Sequence, residues 1–165
     1  MKMYEQTLWI MVGLPGSGKT TMAKKVLFKG SGWRYISRDD IRMEFLKDDD
    51  EDYFTYEASV FDIFTYRIGK AFKEEGVFNV IADATHLNWP SRRKLLYNLN
   101  LNLDHKVNII PVVMTTPFDI AKERNNQRNG RACVPEKVLY NMNQHHTDPC
   151  YDQFDYTAIM YMDNR

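Results

Sequence analysis

A run of eight residues near the start of the chain has the residue types and spacing that bind phosphate. Gly13 to Thr20 reads Gly-Leu-Pro-Gly-Ser-Gly-Lys-Thr and fits G-x-x-x-x-G-K-[ST] at every fixed position. The glycines let the backbone curl so that successive N–H groups point at phosphate oxygens. Lys19 supplies a charge for the β- and γ-phosphates, and the Thr20 hydroxyl can join the coordination sphere of Mg²⁺. The residues predicted to bind the nucleotide are Gly13, Pro15, Gly16, Ser17, Gly18, Lys19, Thr20 and Thr21.

A pair of carboxylates, Asp39 and Asp40, follows a short predicted strand over residues 34–37. Ligands of parallel α/β sheets bind at the carboxyl ends of the strands, so we expect a carboxylate here to face the phosphate loop. Asp39 is the candidate general base that accepts the proton of an attacking hydroxyl, or else a cap of the next helix. For Asp40 we favour a capping or structural role.

Asp83 ends the apolar run over residues 77–82, where a carboxylate can hold Mg²⁺ or its water shell. A purely structural role is the equal alternative. Thr85 and Asn88 follow, and either contact a substrate or shape the turn.

Two arginines four residues apart, Arg124 and Arg128, are predicted to share one helix face. Paired guanidinium groups grip phosphate oxygens in a forked geometry that lysine lacks. We therefore predict a helical lid over the transferring phosphate. A solvated basic surface, with Lys122 and Arg131 nearby, is the alternative.

Apolar runs alternate with helical patterns along the whole chain, which is typical of an α/β fold with a parallel sheet. We predict one phosphate-loop NTPase-type domain over residues 1–165, with about five strands flanked by helices. The predicted strands are 7–12, 34–37, 77–82, 107–114 and 156–162. The predicted helices are 19–28, 39–46, 52–73, 90–99, 117–127 and 135–145. The aromatic stripe of the helix over 52–73 is assigned to the core, with Tyr53, Tyr56 or Tyr66 as alternative stacking residues.

These motifs together resemble the 5′-kinase domain of phage and bacterial polynucleotide kinases. The resemblance runs from about residue 8 to residue 140 and rests on the phosphate loop, the Arg-Asp-Asp element at 38–40, the Asp-Ala-Thr-His-Leu-Asn segment at 83–88 and the Arg-Asn-x-x-Arg segment at 124–128. It implies that Asp39 is the general base and that Arg42 holds a phosphate of the acceptor strand. It also implies a lid of Arg128 and Arg124 over the phosphates of ATP, and makes Arg38, Thr85 and Asn88 further substrate-binding candidates.

The charge balance is even, with 22 basic and 22 acidic residues, which argues against a nucleic-acid packaging protein. The acidic run at 48–52 is expected to be solvated. The basic cluster of Arg92, Arg93 and Lys94 is equally a site for a phosphate backbone or a solvated helix face.

No apolar run is long enough to span a membrane and no export signal is evident, so we expect a cytoplasmic protein with no membrane partner. The two cysteines are expected to be reduced thiols. His145, His146 and Cys150 lack a standard zinc spacing and are assigned to a polar loop.

Three functions remain open at this point. The first is transfer of phosphate from ATP, with Mg²⁺, to the 5′-hydroxyl of RNA or DNA. The second is a kinase for a nucleoside, a sugar or an antibiotic. The third is a non-catalytic nucleotide switch. No tight protein partner is inferred.

Overall fold

The computed structural model describes residues 5–46 and 54–165. The acidic run at 48–52 and the stacking candidate Tyr53 lie outside the described residues. Within them, the five strands are β1 (Thr7–Val12), β2 (Trp33–Ser37), β3 (Asn79–Asp83), β4 (Asn108–Met114) and β5 (Met160–Met162). The helices are α1 (Lys19–Met22), α2 (Arg38–Phe45), α3 (Glu57–Phe72), α4 (Trp89–Asn102), α5 (Phe118–Asn126) and α6 (Glu136–Gln144). A π-helical turn, Ala23–Leu27, continues α1.

All five strands are parallel and lie in the order β2-β3-β1-β4-β5. The predicted α/β class, the parallel sheet and the strand count are confirmed. Because β2 and β3 pair in register with Ser37 opposite Asp83, the residues that follow both strands meet at one edge of the sheet.

Both faces of the central strand β1 are buried, which explains its unbroken apolar run. Leu8, Ile10 and Val12 pack with α3 and α4 on one face. Met11 packs on the other face with Met22 of α1 and with the π-helical turn. The sheet is therefore covered on both sides, and its carboxyl edge is left for the connecting loops that carry the polar residues.

Two predicted elements differ most from the structure, whereas the other bounds agree within three residues and the helix predicted over 19–28 divides into α1 and the π-helical turn. The strand predicted over 156–162 pairs with β4 only from Met160, although Thr157 N–H already donates to the Ile109 carbonyl at 3.0 Å. The helix predicted over 52–73 begins at Glu57, since residues from Phe54 form a turn. Its aromatic stripe does supply the core, through Phe61, Phe64, Ile68 and Phe72.

A buried ion pair ties the C-terminal segment to α4. The Arg92 guanidinium donates to the Asp152 carboxylate at 2.6 and 2.7 Å, and both side chains are fully enclosed. It also donates to the carbonyls of His86 and Thr147 at 2.8 and 2.9 Å. The prediction that Arg92 meets a phosphate backbone or faces solvent is therefore wrong, because its donors are used inside the protein.

Removing one partner of this pair should be costly, since it leaves a buried charge uncompensated. We expect Asp152→Ala to lower the free energy of unfolding by about 3–5 kcal/mol. The matched control is Glu74→Ala, which breaks the exposed Arg34–Glu74 pair and should cost about 0–1 kcal/mol. Urea unfolding of both variants measures the difference. Equal losses of unfolding free energy in the two variants would show that the buried Arg92–Asp152 pair matters no more to stability than the exposed pair.

Candidate active site

The phosphate loop connects β1 to α1. It is held by hydrogen bonds within its own backbone and by residues that follow β3 and β4. Gly13 N–H donates to the Thr85 carbonyl at 3.0 Å, and Ser17 N–H donates to the Leu14 carbonyl at 3.1 Å. Ser17 is buried, and its carbonyl accepts from the Thr116 hydroxyl at 2.8 Å. The loop is therefore anchored to the ends of both β3 and β4.

Two glycines of the loop have left-handed backbone conformations, with φ of 82° at Gly16 and 91° at Gly18. A Cβ atom would collide with the Ala121 carbonyl at Gly16 and with the Asn164 side chain at Gly18. Only glycine meets both the conformational and the steric demand. The loop is thus shaped by close contact with α5 and with the segment after β5.

Lys19 begins α1 and points back into the loop. Its ammonium donates to the Leu14 carbonyl at 2.8 Å. Burial lowers the pKa of Lys19 from 10.5 to about 8, with Arg128 adding to this effect, while the carboxylates of Asp83 and Asp39 oppose it. These three neighbours show that the lysine lies where the phosphate loop, the Asp39 side and the Arg128 side converge.

Asp83 lies at the centre of a small hydrogen-bond network. One carboxylate oxygen accepts from the Thr20 hydroxyl at 2.8 Å and from the Tyr35 hydroxyl at 2.6 Å. Burial, followed by the Asp83 charge, raises the pKa of Tyr35, so the phenol keeps its proton and donates it. Tyr35 was missed at the sequence level. The sequence signal that could have identified Tyr35 is a hydroxyl-bearing side chain two residues before Ser37, in a strand that packs on both faces.

Asp39 and Arg42 face each other across the first turn of α2. The Arg42 guanidinium pairs with the Asp39 carboxylate, whose side chain is 71% exposed. The same guanidinium donates to both oxygens of Glu57 at 3.0 Å, and Arg38 pairs with Glu57 as well. Glu57 has no sequence signal, because it reaches the site only through the packing of α3 on α2.

The expected capping role of Asp40 is not what the structure shows. The cap of α2 is Ser37, whose hydroxyl accepts from Asp40 N–H at 3.2 Å. A serine is the better cap here because it directly precedes the first helical residue, Arg38. The carboxylates of Asp39 and Asp40 are both left to line the cleft.

The two arginines predicted to form the lid, Arg124 and Arg128, lie on either side of the end of α5. Arg124 lies inside the helix, whereas Arg128 follows its last residue, Asn126, so they do not share a helix face as expected. Arg128 lines the cleft together with Asn129 and Arg131, whereas Arg124 is not part of the lining. The predicted lid residue Arg128 therefore lies in a loop and not in a continuous helix.

This loop is closed by a buried amide. The Asn125 side chain donates to the Val134 carbonyl at 2.8 Å and accepts from Val134 N–H at 3.0 Å. Both hydrogen bonds join the side-chain amide of Asn125 to the backbone of Val134, as in a pair of β-strands. They fix the loop between residues 126 and 133. Arg128 is positioned through this contact.

Thr85 and Asn88 have different positions. Thr85 lines the cleft, and its carbonyl holds the phosphate loop as described above. Asn88 caps α4, since its side-chain oxygen accepts from Ser91 N–H at 3.0 Å, and it is not part of the cleft lining. Between them, His86 adopts φ of 42° and donates from Nδ1 to the Met11 carbonyl at 3.0 Å.

One cleft of about 720 Å³ brings most of the predicted residues together. It lies at the carboxyl edge of the sheet, as the position of β2 and β3 predicts. The predicted site residues in its lining are Pro15, Gly18, Lys19, Thr20, Thr21, Arg38, Asp39, Arg42, Asp83, Thr85 and Arg128. Gly13, Gly16 and Ser17 shape the loop without lining the cleft.

The family assignment rests on the match of residues 8–149 to the family model described as "AAA domain". The chain belongs to this family. Its sheet order and phosphate loop are those of a P-loop kinase domain.

Solved structures with the same fold include kinases for different acceptors. A structure of a fungal RNA kinase has a TM-score of 0.70 and 15% identity, and covers 98% of this chain and 76% of its own. A Pnkp1/Rnl/Hen1 RNA repair complex matches with a TM-score of 0.69 and 25% identity over 93% of this chain. This chain spans 47% of that protein's length. A sugar kinase from Janibacter sp. HTCC2649 matches with a TM-score of 0.62 and 16% identity, covering 96% of this chain and 85% of its own.

Two further observations concern membranes and metal ions. Within residues 5–46 and 54–165, the helices are too short or too polar to cross a membrane. Over the same ranges, no three His, Cys, Asp or Glu side chains are grouped as ligands of a metal ion. His145 and Cys150 are exposed, and the His145 ring contacts the Asn141 carbonyl.

The Tyr35 hydroxyl should orient Asp83 toward a bound metal. We expect Tyr35→Phe to raise the Mg²⁺ concentration needed for half-maximal activity roughly two- to tenfold, the equivalent of one net hydrogen bond. Tyr161→Phe is the matched control, because it also breaks a tyrosine–aspartate bond, to Asp148, away from the cleft lining. An unchanged Mg²⁺ dependence in Tyr35→Phe would contradict the positioning role.

His86 should make the fold sensitive to acid. Burial lowers its pKa from 6.5 to about 3, with Arg38, Arg92 and Lys19 nearby adding to the effect. The unfolded chain takes up this proton first, so stability is lost as the pH falls from 6.5 toward 3. We expect His86→Asn, which tolerates the positive φ, to reduce that slope in unfolding measured across this range. An equal slope in both proteins would rule out His86 as its source.

Proposed function

We propose that this protein transfers the γ-phosphoryl group of ATP to the 5′-hydroxyl of an RNA or DNA strand. The observation that supports this most directly is the placement of Asp39. Its exposed carboxylate follows β2 and lines the same cleft as Lys19 and Thr20 of the phosphate loop. A base and a phosphate site thus face each other across one crevice, as in-line transfer requires.

The phosphate side fits a nucleotide with Mg²⁺. The turn of the loop excludes side chains at Gly16 and Gly18, which lets phosphate oxygens approach its backbone closely. The Thr20 hydroxyl and the Asp83 carboxylate form an oxygen donor pair of the kind Mg²⁺ prefers. When bound, Mg²⁺ neutralises charge on the β- and γ-phosphates. Lys19 and Arg128 add positive charge from two sides of the transferring group.

On the acceptor side, Asp39 accepts the hydroxyl proton. The 5′ oxygen forms a bond to the γ-phosphorus while the bond from that phosphorus to the bridging oxygen of ADP breaks. Arg42 holds Asp39 through an ion pair, which orients the carboxylate as a base. General-base assistance of this kind is worth about 10²–10⁴ in rate.

The ring of Phe54 offers a surface for the terminal base. It lines the cleft, is about half exposed, and lies over the Arg42 guanidinium at 5.4 Å. Base stacking on an aromatic ring is sequence-tolerant, which suits an enzyme that accepts many strand ends. Phe54 is preferred to Tyr56 and Tyr66 as the stacking candidate, because neither tyrosine is in the cleft lining. The third alternative, Tyr53, lies outside the described residues.

One observation favours a small, uncharged acceptor as the second candidate. The Arg42 guanidinium already has two carboxylate partners, Asp39 and Glu57. A phosphate on the acceptor would have to compete with Glu57 for it, whereas a neutral sugar or nucleoside would not. Strong loss of acceptor binding with rising salt is expected for a polynucleotide and not for a neutral acceptor.

The decisive test compares two neighbouring carboxylates. We expect Asp39→Asn to reduce phosphoryl transfer to a 5′-hydroxyl oligonucleotide by about 10²–10⁴ while ATP binding is retained. Asp40→Asn, which removes the adjacent cleft carboxylate, should retain most of the activity. The assay measures transfer from γ-labelled ATP with Mg²⁺ to RNA, to DNA and to nucleosides.

Each outcome of this assay has a separate meaning. Label on an oligonucleotide that is lost in Asp39→Asn supports the proposal and identifies the preferred strand. Transfer to nucleosides alone would favour the small-molecule kinase. Full activity of Asp39→Asn on an oligonucleotide would contradict its role as the base.

A further inference from the structure

The helix α4 carries a surface that the transfer chemistry does not use. Its sequence contains Arg92, Arg93 and Lys94 and no Asp or Glu. Arg92 turns inward to Asp152, whereas Arg93 and Lys94 are exposed. Neither of these two forms an ion pair with any carboxylate among the described residues. Two unneutralised cations on one turn therefore face solvent.

An aromatic side chain extends this surface by one turn. Tyr97 is 64% exposed, and it lies four residues after Arg93 and three after Lys94 on the same side of the helix. We call Arg93, Lys94 and Tyr97 the α4 face. Cations interleaved with an exposed aromatic ring form the arrangement that binds single-stranded nucleic acid through phosphates and stacked bases.

The α4 face adjoins the acceptor side of the cleft. The Lys94 ammonium lies 4.1 Å from the centre of the Phe61 ring, and the Arg38 guanidinium lies 5.4 Å from the same centre. Arg38 begins α2, lines the cleft and is followed directly by Asp39. Because both cations lie against the Phe61 ring, Lys94 is close to the residue that directly precedes Asp39.

The topology supports the same path. α4 begins six residues after the end of β3, so its first turns lie at the carboxyl edge of the sheet, beside the strand end that carries Asp83. The cleft itself contains carboxylates from Asp39, Asp40 and Glu57. In a chain with no net charge, a polyanion therefore needs cations placed just outside the cleft.

We propose that the α4 face binds the acceptor strand beyond its 5′-terminal nucleotide, with Arg93 and Lys94 on phosphates and Tyr97 against a base. This inference rests on the proposed transfer to a nucleic-acid 5′ end and adds the partner's path across the surface. The α4 face sets the preference for a long strand over a mononucleotide and leaves the phosphoryl transfer to the residues of the cleft.

The test compares acceptors of two lengths. One is a 5′-hydroxyl strand of about twelve nucleotides, long enough to cover a single-strand binding site, and the other is a nucleoside 3′-monophosphate. For the double variant Arg93→Gln/Lys94→Gln, we expect the ratio of kcat/KM between the long and short acceptor to fall on the order of tenfold. Glutamine retains much of each aliphatic stem, which keeps the packing on Phe61.

Salt dependence gives an independent readout. The slope of log kcat/KM against log salt for the long strand should decrease by about 1.4, or about 0.7 for each lost phosphate contact on a single strand. Tyr97→Ala should weaken binding of the long strand roughly tenfold, measured by fluorescence anisotropy, with a smaller change in the salt slope. Lys106→Gln is the matched control, because Lys106 is exposed and precedes β4 at the opposite edge of the sheet.

The outcomes separate this inference from the function on which it rests. If the wild-type protein phosphorylates the strand but the double variant matches Lys106→Gln in both ratio and slope, the α4 face is not the binding surface and the proposed function stands. If the wild-type protein phosphorylates neither acceptor, the proposed function fails and this inference fails with it. Thermal unfolding of each variant confirms that it is folded.

Discussion

The site depends on a chain of polar contacts that begins at the buried guanidinium of Arg92. This group holds the His86 carbonyl, and the adjacent Thr85 carbonyl holds Gly13 at the start of the phosphate loop. The same guanidinium fixes Asp152 and Thr147, which belong to the C-terminal part of the chain. A buried ion pair contributes little net stability compared with an apolar contact, but it demands one geometry. Here that geometry aligns the turn after β3 with the phosphate loop.

Ion pairs, and not apolar packing, hold the residues around Asp39 in place. Glu57 draws Arg42 and Arg38 together, and Arg42 in turn holds Asp39. Guanidinium groups and carboxylates alternate from Arg38 through Glu57 and Arg42 to Asp39, so each of the four has a partner of opposite charge. Such a network fixes the Asp39 side chain beside Arg42 while leaving most of its surface exposed, and a base in an open cleft must be accessible to the hydroxyl.

The sequence predicts the parts of this site that depend on local pattern. The phosphate loop, the place of Asp39 after β2 and the place of Asp83 after β3 follow from residue types and from the rule that strand ends meet at one edge. The bounds of β1 were predicted without error, because its run is apolar on both faces. The shorter β5 was not, since Thr157 bonds to Ile109 of β4 through both its N–H and its hydroxyl, and the strand pairing begins only at Met160.

Contacts between distant segments account for what the sequence did not reveal. Tyr35 reaches Asp83 across 48 positions, and Arg92 reaches Asp152 across 60. The helix α2 is capped by Ser37 and not by an aspartate, because it begins one residue earlier than predicted. The separation of Arg124 from Arg128 arises from the end of α5, which is the least predictable part of any helix. Spacing alone therefore finds chemical groups more reliably than it finds their partners.

The contact between Asn164 and Gly18 links the far end of the chain to the phosphate loop. The amide of Asn164 fills the space that a side chain would occupy at Gly18, and β5 is bound to β4 immediately before it. The space beside Gly18 is therefore closed by a residue that lies 146 positions further along the chain. The shape of the phosphate loop thus depends on a side chain that lies outside the loop motif itself.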